Sequence, residues 1–270
     1  MRMIDLSSPV DAQGWEPETL SHEVITPAEG ARHMAEEMSK HFGVEFDPEV
    51  LDDGELLSID TLTLTTHTGT HIDAPAHYGT RASYREGPPR TIDELPLEWF
   101  HRPAVVLDLT DAEPGAVGAD RIRSELDQLG RELNPLDIVL LHTGADQHAG
   151  TEKFFTHFTG LDGPATHLLL DLGVKVIGTD AFSLDAPFGD MLARYRDTGD
   201  RSVLWPAHFA GRDREFCQIE RLAHLDRLPR DGFTLSCFPV KIAGAGAGWT
   251  RAVALIDEPD EPDAREESPA

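Results

Sequence analysis

The chain has 270 residues, 40% of them apolar, and 49 acidic against 23 basic side chains give it a formal charge of −26. That length supports a proper hydrophobic core, while the charge opposes binding to nucleic acid or to an anionic membrane surface, where phosphate contacts need clustered Lys and Arg. Two cysteines, Cys217 and Cys237, are too few for a disulfide framework or a thiolate zinc site. With no basic, apolar leader in residues 1–11 and no bilayer-length apolar run, a cytoplasmic protein is expected. In chain order, a helix is expected around residues 29–42. Residues 59–66, rich in Thr, Leu and Ile with near alternation, read as a half-buried strand. Apolar runs at 104–107, 138–141 and 174–177 read as buried strands. Between the first two, Ile122, Leu126 and Leu129 recur at the spacing of an amphipathic helix. Further helices are expected at 166–172 and 188–195, and late strands at 233–238 and 251–256. Strands alternating with helices give an α/β class. Residues 1–256 read as one domain without a linker, followed by an acidic tail, 257–270, whose three prolines predict disorder.

The chemistry concentrates in His67-Thr68-Gly69-Thr70-His71-Ile72-Asp73-Ala74-Pro75-Ala76-His77, which packs three histidines and a carboxylate into eleven residues. A lone histidine is usually a surface or satisfied core residue; the clustering is what points to a metal-centred active site. Imidazole and carboxylate together suit zinc or manganese, and a histidine left beside the ligands is placed to move protons at neutral pH. Gly69 breaks the preceding strand so that His67, His71 and Asp73 can gather round one point, and Pro75 stiffens the exit from the turn.

These residues carry a family resemblance. The segment is similar to the pattern H-x-G-T-H-x-D-x-P-x-H of the cyclase superfamily of metal-dependent hydrolases, and it matches every fixed position. That family includes bacterial kynurenine formamidase, isatin hydrolase and ring-forming cyclases of aromatic polyketide biosynthesis. The resemblance implies that His67, His71 and Asp73 hold one metal, that Asp73 bridges to a second, and that His77 is the proton donor and acceptor. A second, independent match is His208 and Glu220, twelve residues apart and followed by Leu222, Leu225, Leu228 and Pro229; in the formamidases this pattern supplies the second metal site. The likeness runs from about residue 4 to 256. It implies a swivelling β/β/α fold with helical inserts, one or two divalent ions (zinc or manganese) per subunit, and a homo-oligomer, dimer or tetramer. Trp15 stands where the family often has an early substrate-contacting aromatic. His142, at a strand end, either lines the pocket or is a structural histidine; Ser183, with Asp180 and Asp185, either supports the site or forms a turn.

Such a centre admits two reactions. As a hydrolase it would activate water against an amide or ester carbonyl, with His77 carrying the proton to the leaving group. As a cyclase it would stabilise an enolate and leave His77 to remove a proton from the carbon between carbonyls. Residues 26–57 and 188–206 exceed the compact formamidases, and their apolar and aromatic side chains would either roof a large flat pocket or pack between subunits. The expected substrate is therefore a small aromatic or polyketide molecule. The first expectation is closure of a late ring of an aromatic polyketide by aldol condensation and dehydration. The alternative is an amidohydrolase of the kynurenine formamidase or isatin hydrolase type. A third, non-catalytic role in binding a polycyclic ligand or assisting a biosynthetic partner is disfavoured by the intact set of six site residues.

Overall fold

The computed structural model describes residues 1–257. The expected disordered tail, 257–270, lies outside the described residues except for Asp257. In chain order the elements are β1 (Arg2–Asp5), β2 (Ser21–Ile25), α1 (Pro27–Glu37), β3 (Ile59–Thr63), β4 (His71–Asp73), β5 (His101–Asp108), β6 (Gly115–Val117), α2 (Ala119–Gln128), β7 (Ile138–His142), α3 (Glu152–Thr156), β8 (Thr159–Leu161), α4 (Gly163–Asp171), β9 (Val176–Thr179), α5 (Phe188–Thr198), α6 (Pro206–Ala210), β10 (Cys217–Glu220), β11 (Phe233–Ser236), β12 (Ala247–Trp249) and β13 (Val253–Ile256). The chain falls into two compact units, one of residues 1–10 with everything from Thr66 onward, the other Asp11–Thr65. No helix among the described residues is long and apolar enough to cross a membrane.

The larger unit is mixed α/β, as expected, and is organised by a nine-stranded sheet of order β1-β13-β11-β5-β7-β9-β10-β4-β12. Its centre, β5-β7-β9-β10, is parallel, and antiparallel strands extend it on both sides. The central strands read as unbroken apolar runs because both of their faces are covered. Ala104, Val106, Leu140 and Ile219 face one core; Val105, Leu107, Leu141 and Ile177 face the other, together with Ile122 of α2, Leu169 of α4 and Ala207 of α6. Each fully buried Val, Leu or Ile among these contributes about 1.5–3 kcal/mol. The helical spacing of Ile122 and Leu126 is realised in α2. Its Glu125, buried among them, is satisfied by Arg121 at 3.1 Å and Arg230 at 2.7 Å.

Crossing towards β10 and β4, the helix-facing side of the sheet turns from apolar to polar. In β10, Cys217 and Ile219 belong to the far core, so the alternation aims Gln218 and Glu220 at the helix layer. The functional groups therefore stand where the covered sheet loses its apolar facing.

Some expectations need correction. The third strand begins two residues later than its apolar run, at Val176, because Val174 is buried in the loop that leaves α4. The helix expected at 29–42 runs as α from Pro27 to Glu37, is opened by the Thr26–Glu29 capping box, and finishes as a π-helical turn, Met38–Phe42. Strand β3 is exposed at all five residues rather than half-buried. Among the described residues it pairs with β2 alone, and a two-stranded ribbon buries little.

One close approach supports the site from behind. Leu161 N–H donates to Leu184 O at 2.7 Å, and a Cβ on Gly160 would fall 2.2 Å from the backbone of Asp185. Gly160→Ala is expected to destabilise the protein by about 3 kcal/mol through this backbone collision, read as a lowered urea midpoint. An unchanged midpoint would contradict the packing described here.

Candidate metal centre

Two neighbouring strands place the first groups. Glu220 lies opposite His71, and Gln218 opposite Asp73, in the antiparallel pairing of β10 with β4. Opposed residues project from one face, so two carboxylates, an imidazole and an amide converge beside the helix layer. Just before β4 the chain turns at Gly69, φ +68°, a left-handed conformation that costs glycine nothing. This turn brings His67 back towards Asp73. Just after β4 a 3₁₀ turn, Pro75–His77, carries His77, and the Tyr78 hydroxyl donates to Asp73 O at 3.2 Å. Helix α6 brings His208 from the other side. Asp185 sits at the N-terminus of α6, accepting from the amides of Ala207 at 2.6 Å and His208 at 3.2 Å and from the His208 ring at Nδ1.

Asp73 is the hub. Its Oδ1 lies 3.0 Å from His67 Nδ1 and 3.5 Å from His71 Nε2; its Oδ2 lies 3.9 Å from His77 Nε2 and 3.8 Å from His208 Nε2. Gln218 Nε2 donates to Oδ2 at 3.1 Å. Glu220 reaches His71 Nε2 at 3.6 Å and His208 Nε2 at 3.8 Å, and accepts from Leu184 N–H at 3.0 Å. Depth is graded. His71 and Asp73 are buried, whereas the side chains of His67 and His77 are 36% and 34% exposed at the mouth.

These residues fit a divalent cation. His71 Nδ1 lies 2.9 Å from Gly69 O, and this contact fixes Nδ1 as the protonated nitrogen. The Nε2 lone pair then faces the oxygens of Asp73 and Glu220, and this buried nitrogen has no hydrogen-bond partner among the described residues. A lone pair aimed at two carboxylates requires a positive charge between them, either a proton or a metal ion. His208 repeats the arrangement, held at Nδ1 by Asp185 with Nε2 turned to Asp73 and Glu220, as outer carboxylates commonly hold ligating histidines. Two ligand groups result, His67–Asp73–His77 and His71–Asp73–Glu220, with Asp73 common to both.

The electrostatics agree. Burial opposes the charged form of His71, but Asp73 and Glu220 outweigh it and raise its pKa. His208 is likewise pushed up, to about 9, burial being overcome chiefly by Asp185 and then Glu220 and Asp73. Asp73 lies far below the ordinary carboxylate range, because the surrounding histidines outweigh its burial. His77 shifts the other way. Burial lowers it against the pull of Asp73, and neighbouring His67 and His208 lower it further, so it is neutral at pH 7.

A pH dependence follows. A nitrogen that holds a proton up to about pH 9 must release it before it can bind a metal, so affinity is expected to weaken by about tenfold per pH unit below that value for each proton displaced. Chelator competition at several pH values checks this, and a pH-independent dissociation constant would contradict it.

The six expected metal and catalytic residues, His67, His71, Asp73, His77, His208 and Glu220, are thus brought together. Of the other three expected site residues, His142 and Ser183 share the unit that holds this cluster. Trp15 belongs to the other unit and is exposed. His142 ends β7 opposite Asp108, two strands away from β10. Ser183 Oγ accepts from Asp185 N–H at 3.3 Å and helps shape the turn that aims Asp185 at His208. Gln218 and Tyr78 had no expected role, since neither falls in a motif; only strand register reveals Gln218 beside Asp73.

The Cyclase family model, described as "Putative cyclase", matches residues 4–186. The chain belongs to the Cyclase family. Among curated relatives of this Cyclase-family chain, the kynurenine formamidase of Salinibacter ruber is 33% identical over 209 residues, covering 77% of this chain and 84% of the relative. The isatin hydrolase of Roseibium aggregatum is 29% identical over 216 residues, covering 76% and 77%. The fold matches the crystal structure of an isatin hydrolase bound to the product analogue thioisatinate, with TM-score 0.71 at 24% identity over 95% of this chain and 92% of that one. The chain is accordingly an enzyme of the cyclase and metal-dependent hydrolase group, with a cluster able to hold metal.

Proposed function

We propose that this Cyclase-family enzyme is a metal-dependent amidohydrolase that cleaves the C–N bond of an aryl formamide or of a cyclic aryl amide such as isatin. The carrying observation is the Asp73-centred cluster with a neutral, half-exposed imidazole, His77, at its mouth. The two hydrolases related over three-quarters of the chain support this reading over the polyketide ring closure expected first.

His67, His71, Asp73, His208 and Glu220 would hold one or two divalent ions, zinc or manganese, and such an ion supplies Lewis-acid polarisation of the scissile carbonyl and of a water. The chain's own residues do the rest. Gln218 and the Tyr78 hydroxyl fix Asp73, one at its carboxylate and the other at its carbonyl. Asp185 and Glu220 hold His208 between them. His77 Nε2, kept free of its proton by burial and by the neighbouring imidazoles, accepts a proton from attacking water and returns it to the departing nitrogen. The narrow separation of His77 from Asp73 keeps the resulting imidazolium beside a buried negative charge.

Mass spectrometry of the product distinguishes the reactions. Isatin should gain one water on turnover, and N-formylkynurenine, taking up one water, should part into kynurenine and formate; loss of water from an open aromatic polyketide, with no hydrolysis of either amide, would replace this reading by ring closure.

A further inference from the structure

The chain leaves His77 through Tyr78, and there it meets the end of α6. Gly211, which closes α6, packs on the Tyr78 ring so tightly that a Cβ would collide with it. The next residue, Arg212, donates from Nε to Tyr78 O at 2.6 Å. Its guanidinium also lies over the Phe209 ring, with Cζ 3.5 Å from the centroid. Gly79 leaves it space, since a Cβ there would stand 3.1 Å from Nε and 3.7 Å from Cζ. Arg212 is thus tied to the residue that follows His77, and it comes four residues after His208, about one helical turn along.

These contacts use only the Nε–H and one face of the guanidinium. The Nη1 and Nη2 amino groups donate to no group and pair with no carboxylate among the described residues, and the side chain is exposed. Neighbouring charges are engaged elsewhere: Arg85 and Arg90 turn to Glu215 at 4.0 and 3.5 Å, and Asp213 accepts from the Ser83 hydroxyl at 3.2 Å. A protein with 49 acidic and 23 basic side chains repels anions at large, so an anionic substrate needs a local cation. A guanidinium held at Nε and by stacking presents its two terminal amino groups as a fork matched to one carboxylate, with little rotamer freedom left to lose.

We infer that Arg212 is the specificity-determining residue for an aryl amide that bears a carboxylate, its Nη1 and Nη2 taking that carboxylate in a bidentate pair while the amide reaches the Asp73 cluster. This rests on the hydrolase reading above. The pair forms equally in the bound substrate and in the transition state, so its signature is a change in KM with little change in kcat.

The test compares metal-loaded wild type, Arg212→Gln and Arg212→Lys on two substrates. N-formylkynurenine carries the carboxylate on its amino-acid end; ortho-formamidoacetophenone has the same aryl formamide and no carboxylate. Arg212→Gln should raise KM for N-formylkynurenine about tenfold or more, as loss of a charge-assisted pair requires, and KM for the ketone less than about threefold, with metal retained. Arg212→Lys keeps the charge and the stem without the fork, and should fall between. A KM for N-formylkynurenine unchanged in both variants overturns the inference. So does an equal rise for both substrates, which would make Arg212 a strut between α6 and Tyr78. If wild type cleaves neither amide, calorimetric titration with kynurenine and ortho-aminoacetophenone decides the inference separately. A kynurenine Kd raised about tenfold in Arg212→Gln, against an unchanged Kd for the ketone, upholds the carboxylate fork while removing the hydrolase reading. Kynurenine bound equally by all three proteins, or by none, overturns the inference.

Discussion

Asp73→Asn is expected to lose its metal and its turnover together, with metal affinity reduced about 10³-fold. The substitution keeps the shape of the side chain and removes the one charge that faces four histidines. Asp73 is fully buried, and both of its oxygens are surrounded: Oδ1 by His67 and His71, Oδ2 by His77, His208 and the Gln218 amide. Removing one member of a buried, paired set costs about 3–5 kcal/mol, because the remaining charges lose their compensation without regaining solvent. Both ligand groups share this residue, so neither survives its loss. Metal content by elemental analysis, with circular dichroism to show an intact fold, checks the expectation; a folded Asp73→Asn protein with full metal and full activity would contradict the bridging role.

His77→Ala should separate chemistry from metal binding. Its side chain stands at the mouth, 34% exposed, and Gly246 packs against its backbone. The deep ligands His71, Asp73 and Glu220 do not depend on it. Its pKa is lowered, by burial first and then by His67 and His208, so the unprotonated ring that a general base needs is the form present at neutral pH. Positioned proton transfer contributes about 10²–10⁴ in rate, and a fall in kcat of that size with metal retained is the expected result. A variant that loses metal in proportion to activity would make His77 a ligand, partner to His67 and Asp73, rather than the proton carrier.

The site was legible in the sequence because two short motifs report local geometry directly. Gly69 announces the turn that folds His67 back, and the twelve-residue spacing of His208 and Glu220 spans α6 and β10. What supports those ligands was less visible. Asp185 precedes His208 by 23 residues and meets it only because α6 packs over the sheet, with Gly160 admitting its backbone. Gln218 acquires its place beside Asp73 from strand register, which one sequence does not print. The central parallel strands were readable from their apolar runs, burial on both faces having removed any alternation. Near alternation misled at β3, where Leu62 is exposed, because period two marks a strand but not the layer that would cover it.

Metal-dependent hydrolysis is tested most directly by one titration: zinc or manganese returned in steps to chelated wild-type protein while hydrolysis of N-formylkynurenine and isatin is followed. It predicts no turnover of either amide without metal, then recovery in proportion to bound ion up to a plateau at one or two ions per chain. Undiminished hydrolysis by the metal-free protein, or a fully metallated protein that hydrolyses neither amide, would contradict it.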